Sequence, residues 1–327
     1  MRLAEPVRSR AIERIFDLRK DAAAQRARGA LDALLTGVYG SAWPDVAWEF
    51  SRLTGDGFPV EFVFSTHDDD IRYTCEVAGP ETAESERLGR AEHLLVEMGS
   101  VAPDPSQMDF LRAAQATGPL TWGTWVGGRH GPRDDSYKLY VECPAASGSV
   151  ADRWIERLAG SRDLLQRRAT ALRIAAYEPA RSRMEFYFKT EDLEPGEVGA
   201  LLRRFGLGAR QGELLDLIAQ AWGRPIRDRL PVGNSGFSIA APLAGVCHAF
   251  SLHFYARSVF GGDARIRRRL LELAREMRWN LGAYAECSAP LAQRDDARTL
   301  HGIVSFTVAD GREPVLQVGL RPPEQVV

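Results

Sequence analysis

The sequence predicts an α+β chain in which ten antiparallel strands, arranged as five ααββ repeats, close into a barrel with helices outside and a solvent-filled lumen inside. Three observations predict it. Residues 136–142 alternate, with Tyr137, Leu139 and Val141 on one side and Lys138, Tyr140 and Glu142 on the other, as the two faces of a β-strand require. Residues 71–77, 183–189, 251–257 and 315–321 repeat that alternation. Each run follows another strand-like run and a short turn, so the chain reads as five hairpins separated by amphipathic helices. The third observation is that the face turned away from the helices is rich in Arg, Lys, Tyr, Glu and His, which a dry core cannot hold unpaired. An open sheet with that face in solvent obeys the same rule, and composition alone favours it. The fivefold repeat and the recurring tyrosine beside a cation favour closure, which also removes exposed edges.

The elements follow in order. Ile12, Ile15, Phe16, Ala23, Leu31 and Leu34 at helical spacing predict one or two helices over residues 8–35, and residues 43–53 suggest a shorter one. Gly55, Gly57 and Pro59 break the pattern before a strand at 60–65. Asp68, Asp69 and Asp70 form the turn into the Arg72 strand, and solvated turn chemistry explains them better than a metal site, because neighbouring turn side chains point apart. Leu88, Ala91, Leu94, Leu95 and Met98 share one face of a helix over 84–98, with a second at 107–116. A strand at 121–126 turns at Gly131 and Pro132 into residues 136–142, and a helix at 151–167 follows. The third hairpin pairs 171–178 with 183–190, ahead of helices at 195–205 and 211–222. The fourth pairs 235–243 with 247–258, ahead of a helix at 263–279, and the fifth pairs 301–309 with 314–321. One domain over residues 1–327 is expected, with helices in 1–54 and the five hairpins in 55–322.

A chain of 327 residues with 45% hydrophobic content can bury a large core. Its net charge of −2, from 42 basic and 44 acidic side chains, gives no general reason to expect nucleic acid or an anionic membrane as partner. Cys75, Cys143, Cys247 and Cys287 lie far apart with no CxxC pair, so neither zinc nor a disulfide framework is indicated and a reducing cytoplasm is the expected location. No leader-like segment opens the sequence, and no apolar run approaches the roughly 20 residues that span a bilayer.

If the second strands face one lumen, Arg72, Lys138, Arg183, Lys189, His253, Arg257 and Arg321 converge there with Tyr140, Tyr187 and Tyr255. Such a cluster is repulsive when empty, so a multiply charged anion is its expected occupant, and a diphosphate suits it. No GxxxxGK[ST] loop is present, so this is not a backbone cradle for nucleotide phosphates. Tyrosine faces attract a cation. Loss of diphosphate from an allylic carbon makes one, which the rings would shield from water while an electron-rich acceptor captures it. Trp122 or Trp125 would stack on an aromatic acceptor.

These motifs resemble aromatic prenyltransferases of the ABBA, or PT-barrel, class over residues 55–322, with local likeness to the indole-directed dimethylallyltransferases and to the peptide prenyltransferases of cyanobactin pathways. Residues 58–62 resemble the segment carrying the acceptor-binding glutamate, with Glu61 in that position, and residues 71–74 the strand supplying the first diphosphate arginine, Arg72. Lys138 and Tyr140 match the family's Lys-x-Tyr pair; Arg183 and Tyr187 match its Arg-x-Lys-x-Tyr strand, where Glu185 replaces the lysine as in the peptide-modifying branch. His253 and Tyr255 take the next polar-x-Tyr position, Gln317 stands where a tyrosine is frequent, and the 121–126 strand lacks the proton-accepting lysine of indole-directed members.

The resemblance implies transfer of a dimethylallyl or geranyl group from its diphosphate to an electron-rich ring of indole, tryptophan or a related metabolite, with Glu61 receiving the proton. A cyanobactin-like peptide prenyltransferase and a non-catalytic barrel for an anionic or isoprenoid ligand are the alternatives. The expected partners are a prenyl diphosphate donor and an aromatic small molecule or peptide acceptor. No DDxxD or NSE-type motif is present, so no metal ligand is assigned and magnesium is allowed but not demanded.

Overall fold

The computed structural model describes residues 9–144, 153, 155–156, 160–161, 163–165, 170–243, 248–294 and 296–323. Ten strands run β1 Val60–Ser65, β2 Ile71–Cys75, β3 Thr124–His130, β4 Asp135–Glu142, β5 Ala171–Glu178, β6 Arg183–Glu191, β7 Asn234–Pro242, β8 Ala249–Tyr255, β9 His301–Ala309 and β10 Val315–Leu320. Every sequential pair is antiparallel, and β10 pairs back onto β1, with Phe62 opposite Leu320 and Ser65 opposite Gln317. The sheet therefore closes into a barrel with no free edge.

The helices among the described residues are α1 Arg10–Asp17, α2 Ala22–Leu34, α3 Thr36–Tyr39, α4 Arg87–Glu97, α5 Pro105–Gln115, α6 Pro195–Arg204, α7 Gln211–Trp222, α8 Ala256–Phe260, α9 Asp263–Met277 and α10 Gly282–Cys287. Their ends follow local chemistry. Asp21 caps α2 through the Ala24 N–H, Asp104 caps α5 through the N–H groups of Ser106 and Gln107 with Pro105 in the first turn, and Glu194 and Glu197 form a capping box on α6.

The core lies between the helices and the outward face of the barrel. Phe62, Tyr73, Val126, Leu139, Phe186, Phe237, Phe250 and Phe306 alternate outward along their strands and are buried against Leu31, Leu95, Leu111, Leu201, Ile218 and Leu270. Each such side chain contributes about 1.5–3 kcal/mol of transfer free energy. Because the apolar residues are spent outside, the opposite residues of each strand line the lumen. No helix among the described residues is long and apolar enough to cross a membrane. Cys75, Cys143 and Cys287 are buried free thiols.

Three expectations change, and a fourth falls mostly outside the described residues. Residues 43–53 form turns instead of a helix: the Ser51 N–H bonds the Gly57 carbonyl, and Gly57, at φ +90, lies so close to the Glu49 backbone that a Cβ there would collide. Strand β3 begins at Thr124, because the N–H groups of Thr121, Trp122 and Gly123 all donate to one Glu142 carboxylate oxygen at 2.7–2.9 Å instead of entering the sheet. Strand β8 ends at Tyr255, and residues 256–260 turn directly into α8. The helix expected over 151–167 falls mostly outside the described residues, as does Cys247.

Candidate active site

The inward face encloses one cavity of about 1340 Å³. Glu61, Arg72, Trp125, Lys138, Tyr140, Arg183, Glu185, Tyr187, Lys189, His253, Tyr255 and Gln317 all border it, as the alternation requires. The hairpin turns gather at one end of the barrel and the helix connections at the other, so each strand's lumenal residues fall into tiers. Arg72, Arg129, Glu178 and Arg183 stand at the turn end, Lys138, Glu185, Ser238 and Ser305 in the middle, and Glu61, Trp125 and Lys189 toward the other end.

The lumenal cations are not bare. The Lys138 ammonium donates to Glu185 Oε2 at 2.7 Å, and the other Glu185 oxygen accepts from the Ser238 hydroxyl at 2.8 Å. Ser238 in turn lies 3.0 Å from His253 Nε2, while His253 Nδ1 lies 2.8 Å from Ser305 Oγ. Five strands thus contribute to one chain of hydrogen bonds. A carboxylate only accepts, so Ser238 gives its proton to Glu185 and receives one from Nε2–H, leaving Nδ1 to accept from Ser305. Burial keeps this imidazole neutral, pulling its pKa down to about 4. Burial pushes Glu185 up, but Lys138 and then Arg183 outweigh it and hold the carboxyl well below its usual range.

At the turn end, Arg183 pairs with Glu178 at 2.8 Å, and Glu178 also meets Arg181 at 3.2 Å. Arg72 pairs with Asp68 at 2.5 Å, and Arg129 reaches Asp70 at 2.6 Å and Asp68 at 3.2 Å. Asp69 accepts from Asn280. The aspartate run is therefore turn and ion-pair chemistry, and no group of three or more metal-ligating side chains exists among the described residues. The repulsion expected of an empty cationic cluster is relieved by these internal carboxylates.

Glu61 differs. No group among the described residues hydrogen-bonds its carboxyl, which lies over Gly302 and Gly319 so closely that a Cβ on either would collide with it. Desolvation alone pushes its pKa up to about 8. A proton-accepting group poised near neutrality in a cavity is the arrangement general base chemistry needs.

Aromatic rings lie between these charges. Tyr140 and Tyr187 have centroids 5.9 Å apart, Tyr187 and His253 5.5 Å, and the Lys138 ammonium sits 5.2 Å from the Tyr140 centroid. Trp125 borders the lumen with its Nε1–H held by Glu76 at 2.9 Å, and Glu76 is buried against Arg87 at 2.6 Å and Ser51 at 2.6 Å. Lys189 and Tyr255 border the cavity at its exposed rim, where Tyr255 is 56% exposed and shields little.

Three expected residues lie elsewhere. Arg257 is on α8, exposed, and donates to the Ala297 carbonyl, because the strand stopped two residues earlier. Arg321 follows the end of β10, past an irregularity in its pairing, and pairs with Asp56 at 3.0 Å with its guanidinium 4.3 Å from the Phe58 centroid. Trp122 precedes β3 and stacks on the indole of Trp125, centroids 3.7 Å apart, outside the residues that border the cavity. Sequence reasoning passed over Glu76, Arg129, Glu178, Ser238 and Ser305. The last four sit on first strands of hairpins or their ends, where the same alternation would have found them.

No protein-family model matches the chain, and no curated protein matches it in sequence. Solved structures match in shape. The apo form of the prenyltransferase PriB superposes with a TM-score of 0.73 over 97% of each chain at 19% identity. The 6-dimethylallyltryptophan synthase from Micromonospora olivasterospora, in complex with DMASPP and Trp, gives 0.72 over 95% of each chain at 19% identity. The 5-dimethylallyltryptophan synthase from Streptomyces coelicolor gives 0.70 at 15% identity, covering 97% of this chain and 96% of that one. The fold they share with this chain is the ABBA prenyltransferase barrel.

Proposed function

We propose that this barrel is an aromatic prenyltransferase, moving a dimethylallyl or geranyl group from its diphosphate to an indole, tryptophan or related aromatic acceptor. The observation that carries this reading is the meeting, in one cavity of this fold, of Lys138, Arg72 and Arg183 with the rings of Tyr140 and Tyr187 and a Glu61 whose pKa burial raises. Lys138, Arg72 and Arg183 bind the diphosphate, with Lys189 at the rim. The donor C–O bond breaks and its electron pair leaves on the diphosphate, where the cations stabilise it. Tyr140 and Tyr187 present ring faces to the allylic cation and keep water from it. The acceptor carbon or nitrogen forms the new bond, and its proton passes to the Glu61 carboxylate. Trp125, fixed by Glu76, provides a flat wall for the acceptor ring, and Gln317 offers it a polar contact.

The test is turnover. Radiolabelled dimethylallyl diphosphate incubated with tryptophan, indoles, phenols and aromatic peptides is expected to label an indole acceptor. Label on peptides alone would transfer the reading to side-chain prenylation, and donor binding without product from any acceptor would make the protein a binding barrel.

A further inference from the structure

Which ring atom of an acceptor meets the allylic carbon depends on how the acceptor is held, and on the prenyltransferase reading the group best placed to hold it is Trp125. One row of paired residues crosses the lumen wall through Glu61, Thr74, Gly127 and Lys138 on β1 to β4, and Trp125 stands two residues from Gly127 on β3, directly opposite Tyr140. Its strand thus lies between the one that carries the proton acceptor and the one that carries a cation shield. Little of the indole is free. Trp122 covers one face, with centroids 3.7 Å apart and planes 13° from parallel, and the Nε1–H is donated to Glu76 Oε1 at 2.9 Å. The same oxygen accepts from the Ser51 hydroxyl at 2.6 Å, and Oε2 accepts from the Arg87 guanidinium at 2.6 Å. Glu76 is fully buried and Arg87 only 3% exposed, and Arg87 is itself fixed by the carbonyls of Gly79 and Thr82. Both stand outside the residues that border the cavity. A buried ion pair seldom stabilises a fold more than apolar residues of the same volume. What this one supplies that they cannot is an oxygen at a fixed place for the indole N–H.

We propose that Glu76 and Arg87 are positioning residues that act through Trp125 to set which atom of the acceptor ring is prenylated. With its N–H turned into the wall and one face covered, Trp125 offers the acceptor its other face, a stacking surface without a hydrogen-bond donor. An acceptor stacked there keeps its own N–H or O–H for Glu61, and that one bond fixes its rotation in the plane of the stack. Released from Glu76, the indole turns about its Cβ–Cγ bond, where the torsional minimum is broad, and contact with Trp122 has no directional bond to stop it. The stacking plane turns with the indole, and several ring atoms come within reach of the same cation.

The experiment is product analysis with the full chain, dimethylallyl diphosphate and either tryptophan or indole, separating positional isomers and measuring KM for donor and acceptor apart. Three variants are compared with wild type, and thermal melting ranks their stability. Trp125→Phe keeps a ring, removes the N–H and leaves the buried pair intact. Glu76→Gln/Arg87→Met removes both charges but keeps an oxygen for the N–H, whereas Glu76→Leu/Arg87→Met removes the oxygen as well. Wild type and Glu76→Gln/Arg87→Met should give the same main isomer. Trp125→Phe and Glu76→Leu/Arg87→Met should spread the product over two or more ring positions and raise the acceptor KM about tenfold, the worth of one hydrogen bond, with the donor KM unchanged. A merely structural pair would lower the stability and turnover of both double variants and leave the isomer ratio where it was. The proposal is overturned if Trp125→Phe keeps the wild-type isomer ratio, if Glu76→Gln/Arg87→Met scatters the product as widely as Glu76→Leu/Arg87→Met, or if the donor KM rises with the acceptor KM. Trp125→Phe decides the matter if a double variant does not fold. A wild type that prenylates neither acceptor removes the prenyltransferase reading for them, and this proposal with it, whereas a productive wild type whose isomer ratio no variant moves removes the proposal alone.

Discussion

Glu61→Gln tests the electrostatics of the lumen at its least satisfied point. The wild-type carboxyl goes from an ordinary value of 4.5 to about 8 on folding, through burial with no hydrogen-bond partner among the described residues. The folded state therefore binds its proton more tightly than the unfolded state, and stability falls as pH rises between about 4.5 and 8. At about 1.4 kcal/mol per pKa unit, ionising Glu61 costs the folded protein up to about 5 kcal/mol above pH 8. Glutamine has the shape of the protonated acid and no proton to lose. Urea unfolding should find the two proteins nearly equal near pH 5 and the variant more stable by several kcal/mol at pH 8.5. Its turnover should fall by about 10²–10⁴, the usual worth of a general base. Equal stabilities at pH 8.5, or parallel pH profiles, would refute the claim that Glu61 is buried and unpaired.

Other perturbations separate site from scaffold. In wild type, kcat/KM should rise with pH and level off above about 8, because only the ionised Glu61 accepts a proton. Gly302→Ala should push the Glu61 carboxyl aside, cutting turnover at least about tenfold while the melting temperature changes little, since the clashing atom is the end of a flexible side chain. Lys138→Ala leaves Glu185 without its counter-ion and should destabilise the fold by about 3 kcal/mol in denaturant titrations, a loss that adding Glu185→Ala largely restores. Arg257→Ala should leave donor turnover unchanged, whereas Arg321→Ala should lower stability by about 1–2 kcal/mol through loss of its contacts with Asp56 and Phe58.

Strand alternation and the repeat of hairpins made the barrel legible, because a period of two assigns each side chain to a face before any pairing is known. Lys138, Tyr140, Glu185 and Tyr187 are inside for that reason alone. Where the alternation ended was not legible. Arg257 and Arg321 keep the parity of lumenal residues, but their strands stop at Tyr255 and Leu320, and parity has no meaning past a strand end. Trp122 shares the parity of the outward residues Thr124 and Val126, and the loop that holds it before β3 is shaped by Glu142, a residue twenty positions away. The pairing of cations with carboxylates was equally hidden: Lys138 and Glu185 meet because β4, β5 and β6 are adjacent, a fact of tertiary register.

The proposed chemistry requires the donor to be held inside the barrel by its lumenal cations. A crystal structure with a non-hydrolysable prenyl diphosphate analogue tests it most directly: the phosphates should lie within hydrogen-bonding distance of Lys138 and Arg183, with the prenyl chain between Tyr140 and Tyr187. An analogue bound on the helical exterior, or a lumen left empty at saturating concentration, would contradict it.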